Sequence, residues 1–428
     1  MKKLKVLVVP SDRTGVSYYR STNPHLALEN NYPNEFHIDV DYEVDLNNDE
    51  FLKQYDIIHY HRTLGQYEQM ESLVGKFKSL GIVSIMDLDD HWAPGIHHPA
   101  YHLIKQAKLD EKILGNIKVA ENITTTTTLF ADEISKHNKN VFVLPNAIDP
   151  TEKQFTPNLE PSNGRVRIGW LGGSSHLKDL QILKGIVGRL RTDGLLDKVQ
   201  FVLCGFDLRG THTEIDQATG QQKVRNIKPM ESVWYEYERI FTDDYKSISP
   251  EYKDFLLKFR QEEFPTVANE PYRRVWTKPI SSYASNYNLF DISLAPIEEN
   301  IFNKVKSQLK VIEAGFHHKA IIAQDFGPYQ IDVTNAVQYG GGFDLTANGI
   351  LIDSKKNHKD WYTAIKKLIT NPDVVKTLQD NLFATVKDTY SMDKVTENRR
   401  NLYHKLVSDN QVKNNEVLTE TTNAWKKQ

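Results

Sequence analysis

Two series of short strands alternating with helical stretches, parted by one polar, proline-bearing break, constrain this chain more than any other feature. The first series places β-branched, apolar runs at residues 5–9, 36–40, 56–60, 83–86, 122–126 and 141–144. Residues 151–164, TEKQFTPNLEPSNG, form the break. The second series places strands at residues 165–171, 199–203, 291–295, 320–323 and 349–352. Buried β-branched runs separated by helices predict parallel sheets with helical crossovers. The expected fold is therefore α/β, with two Rossmann-like domains facing each other across a cleft. Ligands of such sheets sit at the carboxyl ends of the strands.

The domain boundaries follow from the same pattern. Residues 1–160 form an N-terminal domain and residues 161–390 a C-terminal one. Residues 206–271, rich in Tyr, Glu and Asp, interrupt the second series and read as a helical insertion. Residues 391–428 read as a C-terminal helix returning toward the first domain, followed by a tail.

Composition narrows the functional classes. A net charge of −3 over 428 residues gives no basic footprint, so no nucleic-acid partner is expected. The single cysteine, Cys204, excludes an internal disulfide framework and fits a reducing compartment. The opening MKKLKVLVVP carries an apolar run of strand length, not a signal-peptide core. No apolar run approaches the roughly 18 residues that span a bilayer. A cytoplasmic location is expected, with peripheral membrane contact left open.

The most specific stretch is residues 294–329, LAPIEENIFNKVKSQLKVIEAGFHHKAIIAQDFGPY. It reads as a strand end, a loop, a helix with cations on its first turn, and a second strand. Lys304, Lys306 and Lys310 precede Glu313 at helical spacing. Lysines and helix N-terminal amides together bind phosphate, and a carboxylate further along accepts hydrogen bonds from a ribose diol. Taken without its flanks, Glu313 is also readable as one member of a solvated helix face.

This stretch resembles the donor-sugar segment of GT-B glycosyltransferases of the glycosyltransferase group 1 type, the retaining, glycogen-synthase-like superfamily. The resemblance covers most of the chain outside residues 206–271 and the tail. It implies transfer of a sugar from a nucleotide diphosphate sugar to a hydroxyl of a glycan, lipid-linked or protein acceptor, with retention of configuration. The resemblance also assigns Glu313 to the ribose. The family's first glutamate position holds Val305 here, so Asn303, Lys306 or Ser307 takes the place beside the sugar.

Three further motifs fit that reading. In residues 168–180, IGWLGGSSHLKDL, Gly172 and Gly173 leave a strand and open a helix, with Ser174 or Ser175 as N-cap. Glycine lets backbone amides approach phosphate without a Cβ in the way. Lys178 falls at the family's lysine, while the family's arginine position holds Trp170 or Leu171. Lys306 is the preferred phosphate cation, with Lys178 second and Lys310 alongside. In residues 9–28, Gly15 lies in the loop after the first strand and Arg20 just beyond. The resemblance puts that glycine beside the donor; the plain alternative is an ordinary first turn with Arg20 solvated.

In residues 85–102, IMDLDDHWAPGIHHPAYH, carboxylates and histidines crowd together. Asp87, Asp89 and Asp90 suggest a divalent cation at first sight. Asp89 and Asp90 are read instead as capping the next helix or positioning the acceptor, and no metal is assigned. His97 and His98 are candidates for the functional histidine that similar enzymes carry near the transferred sugar. No cofactor is expected beyond the donor substrate. A sugar-nucleotide epimerase of GT-B-like fold, with acid/base carboxylates from the DLDD loop, remains the alternative enzyme. A non-catalytic nucleotide-sugar-binding protein is the alternative outside enzymes.

Overall fold

A computed structural model describes residues 3–158, 164–207, 210–215, 222–228, 231–242, 271–338, 341–353 and 357–425. The chain divides into two compact units. The first comprises Met1–Asp149, Asn300–Leu309 and Asp388–Gln428; the second comprises Pro150–Glu299 and Lys310–Lys387.

The first unit is built on strands β1 (Leu4–Val9), β2 (Phe36–Val40), β3 (Ile57–His61), β4 (Val83–Leu88), β5 (Asn122–Thr125) and β6 (Val141–Val143). They form one sheet in the order β2-β1-β3-β4-β5-β6, and every pairing is parallel. Successive side chains leave a strand on opposite faces. Val6, Val8, Ile57 and Ile85 accordingly join one buried cluster, and Leu7, Ile58, Tyr60 and Met86 another. Both faces are covered, which is why these strands read as apolar runs in the sequence. The long helix Met392–Trp425 supplies Tyr403, Leu406 and Val407 to the first of these faces. Burial of apolar area of this kind stabilises the packing by roughly 25 cal/mol per Å².

The second unit contains β7 (Val166–Leu171), β8 (Val199–Phe206), an antiparallel hairpin of β9 (Thr211–Ile215) and β10 (Gln222–Asn226), then β11 (Tyr272–Trp276), β12 (Ile292–Ala295), β13 (Ala320–Gln324) and β14 (Ile350–Ile352). Its main sheet runs β11-β8-β7-β12-β13-β14 and is parallel throughout. Trp170, Phe201, Leu203, Leu294 and Ile322 pack with Trp234, Ile240 and Trp361 in its largest core cluster.

Two differences from the sequence reading concern residues 206–271. The region is not helical alone, because the β9–β10 hairpin precedes the helix Val233–Thr242. Residues 243–270 lie outside the described residues. Strand β11 follows the region and shows no apolar run in the sequence. Its sequence, YRRVW, carries two arginines, and one of them, Arg274, is buried by an ion pair with Glu238 and by the Phe206 ring 3.9 Å away.

Both sheets reverse their winding once. In the first, β1 leads outward to β2, and β3 returns to the other side of β1; in the second, β7 leads to β8, and β12 returns to the other side of β7. At such a switch point the connections leave in opposite directions and open a crevice at the carboxyl edge, where ligands bind.

Candidate functional site

At the switch point of the second sheet lies a crevice of about 570 Å³, lined by Lys178, Asp179, Ile297, Glu298 and Gln324 among others. A volume of this order suits a small-molecule or nucleotide site. Strand β7 ends at Leu171, and Gly172 and Gly173 turn the chain into the short 3-10 segment Ser174–His176 and the helix Leu177–Leu180. Gly172 is required sterically, because a Cβ there would meet a ring carbon of Trp170 at 2.6 Å. Gly173 faces open space, with nothing within 4 Å of a Cβ. Lys178 is exposed at the crevice. Lys310 reaches the turn from the neighbouring helix, donates to the Leu171 carbonyl, and lies 5.0 Å from the Trp170 ring centroid.

The expected serine cap is replaced by other partners. Neither Ser174 nor Ser175 makes a capping side-chain bond; the His176 N–H donates to the Tyr237 hydroxyl at 2.8 Å. Asp179, buried, accepts the Glu298 N–H at 2.7 Å and lies 2.7 Å from His176 Nδ1. It thereby ties the exit of β12 to the exit of β7.

Residues 301–316 form two short helices, not one. Asn300 caps the helix Ile301–Lys304 by accepting the Asn303 N–H at 2.9 Å, and a second helix spans Leu309–Phe316. Only Lys310 stands on the first turn of the helix that carries Glu313. Glu313 is 2% exposed, and its Oε2 accepts the Tyr287 hydroxyl at 3.0 Å. Tyr287 stacks on His317, with ring centroids 5.1 Å apart. Burial, with the Glu313 carboxylate second, pushes the Tyr287 hydroxyl well above its ordinary range, so it stays a donor.

The remaining sequence candidates stand in the first unit. Lys304 is exposed, Ser307 half-buried and Asn303 buried, while Val305 packs into the core. Lys306 pairs with Asp90 at 3.0 Å and lies 4.4 Å from the Phe302 ring centroid. His98 tilts against the same ring, and its pKa is lowered by burial and then by Lys306. His97 is exposed.

Arg20 departs most from its expected place. Gly15 opens the short helix Gly15–Ser17, and a π-helical turn, Tyr18–Thr22, follows it. This turn aims Arg20 inward. Its guanidinium is 1% exposed, forks onto Asp87 at 2.9 and 2.7 Å, and donates to the Leu144 carbonyl at 2.6 Å. It is neither a solvated residue nor open to a ligand, and Asp87 is accounted for as its counter-charge.

Asp89 and Asp90 cap no helix, since the next one begins at Tyr101. Asp89 accepts from Arg62 Nη2 at 3.1 Å and lies 2.8 Å from His61 Nε2. Burial opposes its charge, yet His61 and Arg62 hold it below the ordinary carboxylate range. Arg62 itself has φ of 60°, a left-handed backbone at the carboxyl end of β3. A non-glycine residue there costs on the order of 1–3 kcal/mol. It is held by its N–H to the Asp87 carbonyl and its own carbonyl to Asn116. Among the described residues, no group of three His, Cys, Asp or Glu side chains is placed to hold a metal ion. Among them, too, no helix is long and apolar enough to cross a membrane.

Sequence reasoning missed Tyr237, Tyr287, Asp179 and Arg62. Asp179 adjoins Lys178 and carried a local signal. The tyrosines reach the site from other elements and carried none.

The sequence matches no family model and no curated protein. Solved structures do match across almost the whole chain. Anabaena HepE in complex with UDP and glucose is 11% identical, with 95% of this chain and 100% of that one covered at a TM-score of 0.54. Sucrose-phosphate synthase from Thermosynechococcus elongatus is 14% identical, with 95% and 100% covered at 0.55. A UDP-forming trehalose-phosphate synthase from Burkholderia vietnamiensis is 9% identical, with 95% and 99% covered at 0.56. What this chain shares with them is the fold, GT-B.

Proposed function

We propose that this protein is a glycosyltransferase that moves a sugar from a nucleotide diphosphate sugar to an acceptor hydroxyl in glycan or glycoconjugate synthesis. The observation that carries the reading is the crevice at the β7/β12 switch point, lined by Lys178 and Asp179, together with the Gly172-Gly173 turn that leaves β7 and that Lys310 braces through the Leu171 carbonyl. The same fold holds UDP and glucose in one similar structure.

In the proposed reaction the bond between the anomeric carbon and the diphosphate oxygen breaks. A bond from that carbon to the acceptor oxygen forms, and the acceptor proton passes to the departing diphosphate. Negative charge grows on the leaving group, and preorganised donors stabilise it. The Gly172-Gly173 turn, Lys310 and Lys178 supply such donors in the second unit, and Lys306 is assigned the charge that develops in the transition state. Glu313, oriented by Tyr287, takes the ribose. His98 or His97 serves the transferred sugar. Gly15 is assigned the place beside the donor, and Asn303 or Ser307 the place beside the sugar; burial of Arg20 reassigns it to support of Asp87. Retention of configuration, independence of added metal and a cytoplasmic location belong to the same proposal.

The test is a thermal-shift panel of UDP, GDP and ADP with their sugars. A ligand at 100 times its dissociation constant stabilises by about 2.7 kcal/mol, a resolvable rise in melting temperature. One nucleotide should stand out. No rise with any of them counts against the donor site.

A further inference from the structure

Tyr237 sits on the helix Val233–Thr242, in the part of the chain between β8 and β11 whose contribution the sequence left open. Its side chain is fully buried, yet its hydroxyl reaches the turn after β7 and makes two bonds there. It accepts the His176 N–H at 2.8 Å and donates to the Gly173 carbonyl at 3.1 Å. One oxygen thus clasps both ends of the segment whose middle is Ser174 and Ser175. The ring is fixed in its turn by Trp170 and Trp234, with centroids 5.3 and 4.6 Å away. Trp170 also occupies the space where a Cβ on Gly172 would stand, while the far side of Gly173 is open.

The clasp has a consequence for binding. A glycine-rich turn is flexible, and ordering it on ligand arrival costs conformational entropy. A turn already held by a buried hydroxyl presents its exposed residues, Gly173, Ser174 and Ser175, in one geometry. Asp179 restrains the same residue from the other side through the His176 ring. Burial pushes the Tyr237 hydroxyl above its ordinary range, so it remains protonated and keeps both bonds.

We infer that Tyr237 is a positioning residue for the diphosphate of the donor: through its hydroxyl, the helix Val233–Thr242 presets the Gly172–His176 turn. This rests on the donor reading above. Tyr237 acts through the turn and not by contact with substrate.

The test compares Tyr237→Phe with Tyr272→Phe, titrating UDP, GDP and ADP by calorimetry. Tyr272 is equally buried, and its hydroxyl donates to Glu238 on the same helix at 2.8 Å. Both variants lose one buried hydroxyl, so both should melt lower than wild type. Only Tyr237→Phe should weaken the nucleotide diphosphate that wild type binds, by about 5- to 10-fold. Equal affinity in all three proteins overturns the inference, as does an equal loss in both variants. If wild type binds none of the three nucleotides, the donor reading fails and this inference fails with it.

Discussion

Replacing Glu313 by glutamine removes a charge while keeping nearly the same shape. Glu313 is 2% exposed and receives the Tyr287 hydroxyl at 3.0 Å, a bond that the glutamine carbonyl can also accept. Folding should therefore change little. A ribose hydroxyl donating to the carboxylate makes a charge-assisted bond worth about 1.5–3 kcal/mol, against about 0.5–1.5 for a neutral one. The difference, about 1–1.5 kcal/mol, corresponds to roughly 5- to 12-fold in affinity. Glu313→Ala differs in kind. It leaves the buried Tyr287 hydroxyl without that acceptor, at a cost of about 1–3 kcal/mol, and opens space in the core. Calorimetric titration with the preferred nucleotide diphosphate, alongside urea denaturation, separates the two effects. Glu313→Gln with unchanged stability and unchanged affinity would refute the ribose assignment.

Other consequences follow from the first unit. Arg20→Ala should destabilise the protein by about 3–5 kcal/mol in chemical denaturation, because Asp87 is left charged and buried; a loss below 1 kcal/mol contradicts the pair's structural role. His59 has no hydrogen-bond partner at either ring nitrogen among the described residues, and burial, then the Arg399 and Arg20 charges, holds its pKa well below 6.5. It is neutral in the fold and gains a proton more readily when unfolded, so its stabilisation is complete above pH 6.5 and is lost as pH falls below it. His59→Phe should flatten the stability profile between about pH 6.5 and 5, where one such group contributes up to about 1.4 kcal/mol per pH unit; an unchanged slope counts against this. Lys306→Ala should lower turnover more than donor affinity, with exposed Lys304→Ala as control. Matching turnover in the two variants excludes the role given to Lys306.

Much of the architecture was legible because parallel strands covered on both faces are largely apolar. Strands β3, β4 and β8 show this: every residue in them is buried, and their runs stood out. Strand β11 did not stand out, since Arg274 looks solvated until Glu238 and Phe206 are seen around it. The β9–β10 hairpin, THTEI and QKVRN, lacks an apolar run as well.

The site divides along the same line. Gly172-Gly173, Lys178 and Glu313 are proposed from local patterns along the chain. Arg20 and Asp87 are 67 positions apart, and Tyr237 is 64 from Gly173. Such pairings depend on which strands become neighbours, so an arginine that looks solvated in the sequence is a core residue in the fold. The left-handed Arg62 was equally hidden, because its backbone is imposed by bonds to Asp87 and Asn116.

Sugar transfer with the leaving diphosphate stabilised by protein groups can be checked in a single reaction. Its most direct test is mass-spectrometric analysis of products from purified protein, a panel of nucleotide sugars and a mixture of glycan and lipid-linked acceptors, with EDTA present. The expected products are free nucleotide diphosphate and an acceptor heavier by one sugar residue, formed at the same rate with or without chelator. Nucleotide diphosphate released with an epimerised free sugar, or transfer abolished by EDTA and restored by Mn²⁺, would contradict it.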